Sequence, residues 1–520
     1  MVMALISLLP WLQNCLSFLF SVFTTIFLLF SLLLLLLRSR PWCNCHVCKA
    51  YLSSSWTGEF TNLCDWYTHL LRQSPTRTIN IHVLGNTVTA NPDNVEYMLA
   101  TRFANFPKGK PFSSLLGDLL GRGIFNVDGE SWQFQRKMAS LELGSVSVRS
   151  YAFHIVSAEV RRRLIPLFTS VSDGGGAAAA AAAAGVIDLQ DVFRRFAFDN
   201  ICKISFGLDP GCLEASLPIS EFAAAFDTAS RMSALRGTAV APAVWKLKRL
   251  LNLGSERELK RAIRLVDELA DELIRQRRKL GYASSHDLLS RFMCSVNDDR
   301  YLRDIVISFL LAGRDTVASG LTCFFLLLSK HPEVTAAIRD EIADVIGGSG
   351  DDELASFEQL KKMHYVHAAM YESLRLYPPV QIDSKFCVED DMLPDGTFVR
   401  KGTRVTYHPY AMGRMERIWG PDCEEFKPER WLRDGKFVPA SPFKYPVFQA
   451  GLRVCLGKEM ALMEMKTVIV SVVPRFDVQV LDAGRSPKFA PGLAASIDGG
   501  LPAQVRRRSS GEQTPAHGAC

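Results

Sequence analysis

The most constraining feature of this sequence is the apolar stretch at its start. Residues 1–37 contain no Asp, Glu, Lys, Arg or His, and residues 16–37 read LSFLFSVFTTIFLLFSLLLLLL. As a helix, this run is long enough to cross a hydrocarbon core about 30 Å thick. A cleaved signal peptide would carry a basic segment before the apolar run and a small-residue cleavage site after it, and neither is present. We therefore predict one N-terminal transmembrane helix, with residues 1–40 as a retained membrane anchor.

Charges after this run predict its orientation. Arg38, Arg40 and Lys49 all follow the apolar residues, and the positive-inside rule assigns such residues to the cytosolic side. We therefore expect a single-pass protein whose large C-terminal body lies in the cytosol. The net charge of +6 suits an anionic membrane surface or an acidic protein partner. It is too small to indicate nucleic-acid binding.

The cysteines fit a reducing compartment. There are 13 of them, an odd number scattered through the chain, so no disulfide framework is expected. Cys43, Cys45 and Cys48 lie in WCNCHVC immediately after the predicted span. That spacing lacks the second ligand pair of a typical zinc site. Palmitoylation or simple packing beside the membrane is favoured over zinc.

Hydrophobic periodicity divides the body into a helical first part and a later part rich in strands. Residues 76–99 predict a β-hairpin that turns at Gly85-Asn86 and runs into a helix. From about 130 to 380 the helical period dominates. Beyond that point Pro, Gly and Asp become frequent, and short strands are expected. A last helix is predicted to end before Pro474.

Two segments of the body complete the fold prediction. GGGAAAAAAAAG, residues 174–185, predicts an inserted surface loop, because glycines flank the alanines. Residues 301–334 are apolar nearly all round but carry several charges, so we predict a core helix and not a second span. The predicted fold class is mainly α with small β-sheets. We expect one body over residues 41–505 and a disordered tail over 506–520.

The stretch FQAGLRVCLG, residues 448–457, surrounds one cysteine with two glycines, an arginine and a phenylalanine. Cys455 directly precedes the predicted last helix, whose N-terminus would favour a thiolate. Gly451 and Gly457 allow turns and close backbone approach. Phe448 can shield the sulfur, and Arg453 offers a cation to a carboxylate beside a metal. Zinc would need further Cys or His ligands at short spacing, and a nucleophilic cysteine would need a basic histidine, which can be distant in sequence. Thiolate, shielding aromatic and carboxylate-binding arginine together are typical of haem with an axial cysteine.

These residues resemble the haem-binding signature FxxGxRxCxG of the cytochrome P-450 superfamily, and all five specified positions match. AGRDT (312–316), YESLRLYPP, FKPERW and WQFQRK are similar to further motifs of that family, in the family's order. The resemblance extends from the anchor to about residue 505. It implies the cytochrome P-450 fold, haem b on Cys455, dioxygen, and electrons from NADPH delivered by NADPH-cytochrome P-450 reductase. It also implies a protein of the endoplasmic reticulum membrane.

The family resemblance gives roles to two pairs of residues. Glu372 and Arg375 alone would indicate an ordinary surface ion pair, one helical turn apart. Beside the cysteine loop, the resemblance implies that they form a buried charge network with Arg430, which holds the loop in place. Trp132 alone would be a core aromatic. With Arg136 one turn later, it is similar to the family's contacts with the haem propionates, alongside the arginine of the signature.

Asp315 and Thr316 form an unusual pair in the middle of the predicted core helix. Neither is a good helix former, and Gly313 precedes them. Taken alone, they indicate a kink in which the threonine hydroxyl bonds to the previous turn. The resemblance implies that the kink makes room for dioxygen. Thr316 would then deliver protons, and Asp315 would relay them from solvent.

Further segments point to a substrate class. AGRDTVASGLT and PPVQIDSKF look like the plant fatty-acid ω-hydroxylase clan, and MASLELGSVSVRSYAFHIV looks closest to the subfamily that oxidises jasmonoyl-isoleucine. The resemblance implies oxidation of the terminal (ω, C-12) carbon to an alcohol and then to a carboxylic acid, which turns over the hormone. The alternatives are an ω-hydroxylase of free medium- or long-chain fatty acids, a haem-thiolate isomerase, and a non-catalytic haem-binding protein.

An amphipathic carboxylate substrate needs an apolar channel and a cation at its far end. Segments that line this channel in the family carry four apolar residues here: Leu310, Ala312, Val380 and Leu493. Lys108 or Lys110 is our hypothesis for the cation that binds the substrate carboxylate.

Overall fold

A computed structural model gives the structure of residues 16–31, 43–144, 146–174, 185–214, 221–281, 287–347 and 354–508. The chain divides into two compact units, Met1–Ser55 and Trp56–Cys520. The first unit contains the apolar helix α1 (Leu16–Ser31) and helix α2 (His46–Ser53). The division falls after Ser55, and not after residue 40 as predicted, because α2 belongs to the first unit. Residues 1–15 and 32–40 of the predicted anchor lie outside the described residues.

The second unit is mainly helical, as predicted. Its α-helices in chain order are α3 (Leu63–Gln73), α4 (Pro92–Glu96), α5 (Gly109–Leu120), α6 (Gly129–Leu143), α7 (Val146–Glu159), α8 (Ile165–Ser172), α9 (Leu189–Phe206), α10 (Glu221–Thr238), α11 (Pro242–Leu250), α12 (Ser255–Leu280), α13 (Leu288–Met293), α14 (Asp299–Leu310), α15 (Thr316–Lys330), α16 (Pro332–Ile346), α17 (Phe357–Lys362), α18 (His364–Leu376), α19 (Pro409–Met412), α20 (Glu416–Trp419) and α21 (Lys458–Val472).

Short strands accompany these helices in five small sheets within the described chain. The strands are β1 (Thr78–Ile81), β2 (Asn86–Thr89), β3 (Val186–Asp188), β4 (Asp383–Phe386), β5 (Asp391–Met392), β6 (Phe398–Val399), β7 (Arg404–Tyr407), β8 (Leu432–Arg433), β9 (Lys436–Phe437), β10 (Phe476–Val480), β11 (Phe489–Ala490), β12 (Ser496–Ile497) and β13 (Pro502–Arg507). The largest sheet has the order β1-β2-β7-β4, and β10-β13-β3 forms a second one. Only the β2–β7 pair is parallel among these neighbours.

The predicted core helix is present and is broken once. Helices α14 and α15 are joined by a π-helical turn over Leu311–Asp315, and most of their apolar surface is buried in the protein. Helix α9 packs beside them, with the rings of Phe193 and Phe325 stacked 5.3 Å apart. At Gly313 a Cβ atom would lie 2.5 Å from Ile201 Cδ1, so only glycine allows the break to approach α9 this closely.

Several local predictions agree with the structure. β1 and β2 form the predicted antiparallel hairpin with Gly85 in the left-handed region, and α4 follows. Helix α21 ends at Val472, before Pro474. The tail prediction needs a correction, because β13 continues to Arg507 by pairing with β10. Residues 175–184 of the predicted loop and residues 509–520 of the tail lie outside the described part of the chain.

Candidate active site

The cysteine loop is a closed turn at the start of α21. The Cys455 N–H donates to the Phe448 carbonyl at 2.8 Å, and the Val454 N–H donates to the Gly451 carbonyl at 3.2 Å. These bonds bring both ends of the signature together. Cys455 is exposed. The loop therefore presents this thiol at the N-terminal end of a long buried helix.

The environment of the Cys455 thiol contains opposing effects. Crowding by surrounding protein atoms removes water and raises the pKa of the thiol, while the Gly457 N–H and the cations Arg136 and Lys458 act to lower it. Metal coordination deprotonates a thiol outright. The two cations and the N–H would stabilise the resulting thiolate.

Gly451 is required by close backbone approach. Its φ is +60°, in the left-handed region, and a Cβ atom there would lie 2.0 Å from the Leu99 carbonyl oxygen. Gly457 meets no such constraint, because its φ is −87° and a Cβ atom would meet no other atom within 4 Å. The protein fold therefore explains one of the two signature glycines and leaves the other unexplained.

Arg453 and α6 form a cationic cradle near the thiol. Arg453 Nη2 donates to Asp128 Oδ1 at 2.6 Å, and its guanidinium carbon lies 4.6 Å from the Trp132 ring centroid. The buried Nε of Arg453 has no hydrogen-bond partner among the described residues. Arg136 follows Trp132 by one turn; burial lowers its pKa, the Cys455 sulfur raises it and Arg453 lowers it. A carboxylate-bearing group that binds a thiolate fits these donors.

Haem b is such a group, and the residues present fit it. Cys455 would bind the iron, while Arg453, Trp132 and Arg136 would hold the propionates. When bound, haem supplies the binding and reduction of dioxygen, and a thiolate ligand pushes electron density that favours O–O cleavage. The side chains of this chain position that group and manage protons around it.

The predicted charge network is buried beside the loop. Glu372 and Arg375 are both fully buried, and the carboxylate accepts Arg375 Nε at 2.7 Å and Nη2 at 2.8 Å. Arg430 Nε donates to the same carboxylate at 3.2 Å. Trp431 Nε1 adds a further bond at 2.9 Å. The three charged residues named from the sequence therefore meet at one carboxylate.

Aromatic side chains join this network to the cysteine loop. Tyr371 stacks on Tyr445 with ring centroids 5.3 Å apart, and its carbonyl accepts the Tyr445 hydroxyl at 3.0 Å. Trp431 packs edge-on against Tyr445 at 5.0 Å. The Tyr371 ring also contacts the Phe448 ring at 6.3 Å. Tyr371 begins the YESLRLYPP segment but received no role from the sequence, and Tyr445 lies outside the quoted motifs. Their rings connect the network to the loop by direct contact.

The break between α14 and α15 places the predicted acid and alcohol side by side. Thr316 Oγ1 donates to the Ala312 carbonyl at 2.6 Å, the back-bond predicted from the sequence. Asp315 Oδ1 accepts Arg314 Nη1 at 2.8 Å. Burial raises the pKa of Asp315, and Arg314 opposes that rise. Arg314, which sequence reasoning did not assign, is 2% exposed and needs anionic partners.

The predicted channel residues fall into two groups. Leu310 is fully buried in an apolar cluster, and Leu493 packs against that cluster. Ala312 and Val380 are half-buried. The segments of Val380 and Leu493 lie together, because the Ala495 N–H donates to the Pro379 carbonyl at 2.7 Å. These contacts bring the Val380 and Leu493 segments together and give Leu310 a core-packing role.

Lys108 requires a correction. The residue is buried, and its ammonium group donates to Asp383 Oδ1 at 2.5 Å. Lys385 Nζ donates to the other oxygen of Asp383 at 2.7 Å, and the Tyr407 hydroxyl does so at 2.8 Å. Lys108 is therefore held inside the protein and is not a free anchor for a substrate carboxylate. Lys110 is exposed.

The fold and the site together define a class, the haem-thiolate proteins. Comparison with known proteins agrees: residues 67–498 match the family Cytochrome P-450. The chain is 59% identical to Cytochrome P-450 94C1 of Arabidopsis thaliana, over 94% of this chain and 97% of that protein. It is 49% identical to Cytochrome P-450 94B3 of Arabidopsis thaliana, over 86% and 88%. It is 44% identical to Cytochrome P-450 94A1 of Vicia sativa, over 86% and 87%.

The chain belongs to the cytochrome P-450 family. It is a monooxygenase of that family, an oxidoreductase that uses haem b, dioxygen and electrons from a reductase. The family, the mainly α fold with small sheets and the cofactors predicted from the sequence are therefore confirmed.

Proposed function

We propose that this monooxygenase oxidises the terminal (ω, C-12) carbon of jasmonoyl-isoleucine, first to the alcohol and then to the carboxylic acid. The monooxygenase class rests on the Cys455 loop and the Asp315–Thr316 break. The substrate rests on the segments that look like the jasmonoyl-isoleucine-oxidising subfamily. Terminal C–H bonds are stronger than those of neighbouring methylenes, so selectivity must come from holding the chain end-on.

Each residue of the site has a proposed role. Cys455 is the iron ligand, and Thr316 and Asp315 move protons toward the dioxygen site. Arg453 and Arg136 neutralise haem carboxylates. Trp132 contacts the propionates, and Phe448, Gly451 and Gly457 shape the loop. The charge network that supports the loop consists of Glu372, Arg375 and Arg430. The residues proposed to line the substrate channel are Leu310, Ala312, Val380 and Leu493.

The anchor and partners are part of this proposal. Helix α1 carries no charged residue and exposes mostly large apolar side chains, and the charge-free run continues to residue 37. A continuous helix over residues 16–37 would hold the protein as a single-pass protein in the endoplasmic reticulum membrane, with the catalytic unit in the cytosol. NADPH-cytochrome P-450 reductase would dock on the basic surface near the cysteine loop.

Product analysis tests the proposed activity. The full chain is reconstituted with reductase, NADPH and either jasmonoyl-isoleucine or a panel of medium- and long-chain fatty acids, and products are identified by mass and fragmentation. We expect the ω-alcohol and the ω-acid of jasmonoyl-isoleucine. Products from the fatty acids alone would establish the alternative, a free fatty-acid ω-hydroxylase, which the resemblance to that clan favours next.

The reductase requirement separates the remaining alternatives. A haem-thiolate isomerase would convert its substrate without reductase, and a non-catalytic haem protein would not convert it with reductase. Thr316 argues against the isomerase, because such relatives usually lose this threonine. Cys455→Ser serves as the matched control, since reduced wild-type protein with carbon monoxide should show the red-shifted Soret band of thiolate ligation and the variant should lack it.

Lys110 is the remaining candidate for the substrate carboxylate. It is exposed, and no ion pair holds it in the described part of the chain. Lys110→Ala should raise the apparent Kd for jasmonoyl-isoleucine about tenfold, measured by the substrate-induced shift of the Soret band. The methyl ester of the substrate should bind both proteins alike. Unchanged affinity for the free acid would contradict this role.

A further inference from the structure

A polar cavity of about 340 Å³ lies beside the helix break, which contributes Asp315 to its lining. It is bounded by α9, α10, the start of α15 and the β11–β12 hairpin. Its lining is rich in ionisable groups: Asp188, Asp227, Asp315 and Asp498, with Arg194 and Arg231. The excess of carboxylates makes this cavity favourable for protons and unfavourable for an anionic substrate.

A chain of ion contacts leads from this cavity to the catalytic threonine. Arg194 Nη1 donates to Asp227 Oδ2 at 2.9 Å, and Arg314 Nη1 donates to Asp227 Oδ1 at 2.8 Å. The same Arg314 nitrogen donates to Asp315 Oδ1 at 2.8 Å. Asp315 directly precedes Thr316. One buried guanidinium is therefore shared by two carboxylates that come from different helices.

Because two carboxylates share Arg314, protonation of Asp315 costs less free energy. A proton carrier must gain and lose a proton easily. If Asp315 were the sole partner of Arg314, protonation would leave a buried cation unpaired, which costs about 3–5 kcal/mol. Asp227 removes that penalty, because Arg314 keeps one carboxylate partner whether Asp315 is charged or neutral.

We propose that Asp227 is a positioning residue for proton delivery, which holds Arg314 so that Asp315 can pass protons from the acidic cavity to Thr316. This inference rests on the proposed monooxygenase function. That reaction converts RH, O2, NADPH and H⁺ to ROH, H2O and NADP⁺. Both protons that enter the water molecule would reach the site along this route. The charged groups that face Asp315 are Arg314, Asp227 and Arg194, and burial together with Asp227 raises the pKa of Asp315.

Asp227→Asn tests the proposal in the reconstituted full-length enzyme. The amide keeps the shape but offers no charge, so Arg314 should pair with Asp315 alone. Product formed per NADPH should fall by about tenfold, hydrogen peroxide release should rise, and the solvent isotope effect in D2O should increase. Asp227→Glu should restore most of the coupling, because it returns a carboxylate to Arg314. A purely structural role would lower the yield of folded protein without changing the isotope effect.

Asp191→Asn is the matched control. Asp191 lies on α9, the helix that carries Arg194, and pairs with Arg195 at 2.7 Å, but it does not line the cavity. Its loss should leave coupling unchanged. The carbon monoxide Soret band of each variant establishes that the haem site is intact.

An infrared titration tests the role of Asp227 without measuring turnover, because it follows the protonation of Asp315 directly. The difference between wild type and Asp315→Asn isolates the Asp315 carboxylic acid band, and its midpoint pH should fall when Asp227→Asn is introduced. Equal coupling, equal isotope effects or an unchanged midpoint in Asp227→Asn would overturn the proposal. A wild type that forms no product from any substrate, yet shows the midpoint shift, would overturn the proposed function alone.

Discussion

At the scale of single residues, the two signature glycines differ in what the protein demands of them. Gly451→Ala places a Cβ atom 2.0 Å from the Leu99 carbonyl at a positive φ, so the loop must move. We expect Gly451→Ala to lower the midpoint of thermal unfolding and to lose most of its haem. Gly457→Ala adds its Cβ atom to open space and should unfold like wild type. Absorbance at the Soret band per mole of protein measures haem retention, and equal loss in both variants would contradict this distinction.

Glu372 is a residue whose charge balances two arginines in the interior. Glu372→Gln keeps its shape but removes the carboxylate charge that pairs with buried Arg375, so we expect a loss of about 3–5 kcal/mol in the free energy of unfolding. The control is Glu358→Gln, because Glu358 pairs with Lys361 at the surface and exposed pairs contribute little. Denaturant titration compares the variants. Similar small losses for both would show that the buried charge is dispensable.

At the scale of elements, α21 carries an acid that the haem chemistry does not use. Glu464 is buried beside Asn200 of α9, and its Oε1 has no hydrogen-bond partner in the described residues. Burial raises the pKa of Glu464 from 4.5 to about 8, and Asn200 opposes that rise. The folded protein therefore prefers the neutral acid. The stability contributed by Glu464 is fully present below pH 4.5 and is lost as pH rises toward 8.

Glu464→Gln should remove this pH dependence. The variant should gain on wild type in thermal midpoint as pH rises from 5 to 8, and each unit of pKa difference corresponds to about 1.4 kcal/mol. Differential scanning calorimetry across this pH range measures the gain. Asp477→Asn, an exposed substitution, is the control and should show no such trend. A pH-independent difference between Glu464→Gln and wild type would mean that the carboxyl is already ionised in the fold.

Contacts within one element can be predicted from the sequence, whereas contacts between distant elements cannot. Glu372 and Arg375 lie one turn apart on α18, so their pairing follows from helical spacing. The Thr316 back-bond is equally local. Lys108 and Asp383 are separated by 275 residues, and their contact depends on how α5 packs on β4. Lys108 was therefore mistaken for a free cation, although Asp383 and Lys385 on one face of β4 were a signal of a charged cluster.

At the scale of the whole molecule, the enzyme class depends on local contacts, whereas substrate choice depends on long-range ones. A thiolate loop, a broken core helix and a carboxylate network are carried by short motifs, so they were predictable with their residue numbers. The ion chain from Arg194 to Asp315 combines α9, α10 and the break, and no motif spans them. Substrate choice depends on such long-range combinations, which is why similarity to relatives defines the monooxygenase class more sharply than the molecule it oxidises.

Electron delivery is also a property of the whole surface. Three basic residues surround the cysteine loop in the sequence: Lys444, Arg453 and Lys458. The Arg453 side chain is buried against Asp128 and is therefore unavailable to a partner. Lys444 and Lys458 remain partly exposed. Raising ionic strength from 0.1 to 1 M shortens the Debye length from about 10 to 3 Å, which weakens attraction to an acidic flavin domain. We therefore expect reduction by the reductase to slow as salt rises.

Stopped-flow formation of the carbon monoxide complex measures that reduction rate. Lys444→Gln and Lys458→Gln should each lower the rate at low salt and flatten its salt dependence, because each removes one charge from the docking surface. Lys361→Gln is the control, since Lys361 is paired with Glu358 on exposed α17 and should leave both quantities unchanged. A reduction rate that is insensitive to salt in wild type would contradict this prediction. It would show that the reductase docks by apolar contacts and not by attraction to these lysines.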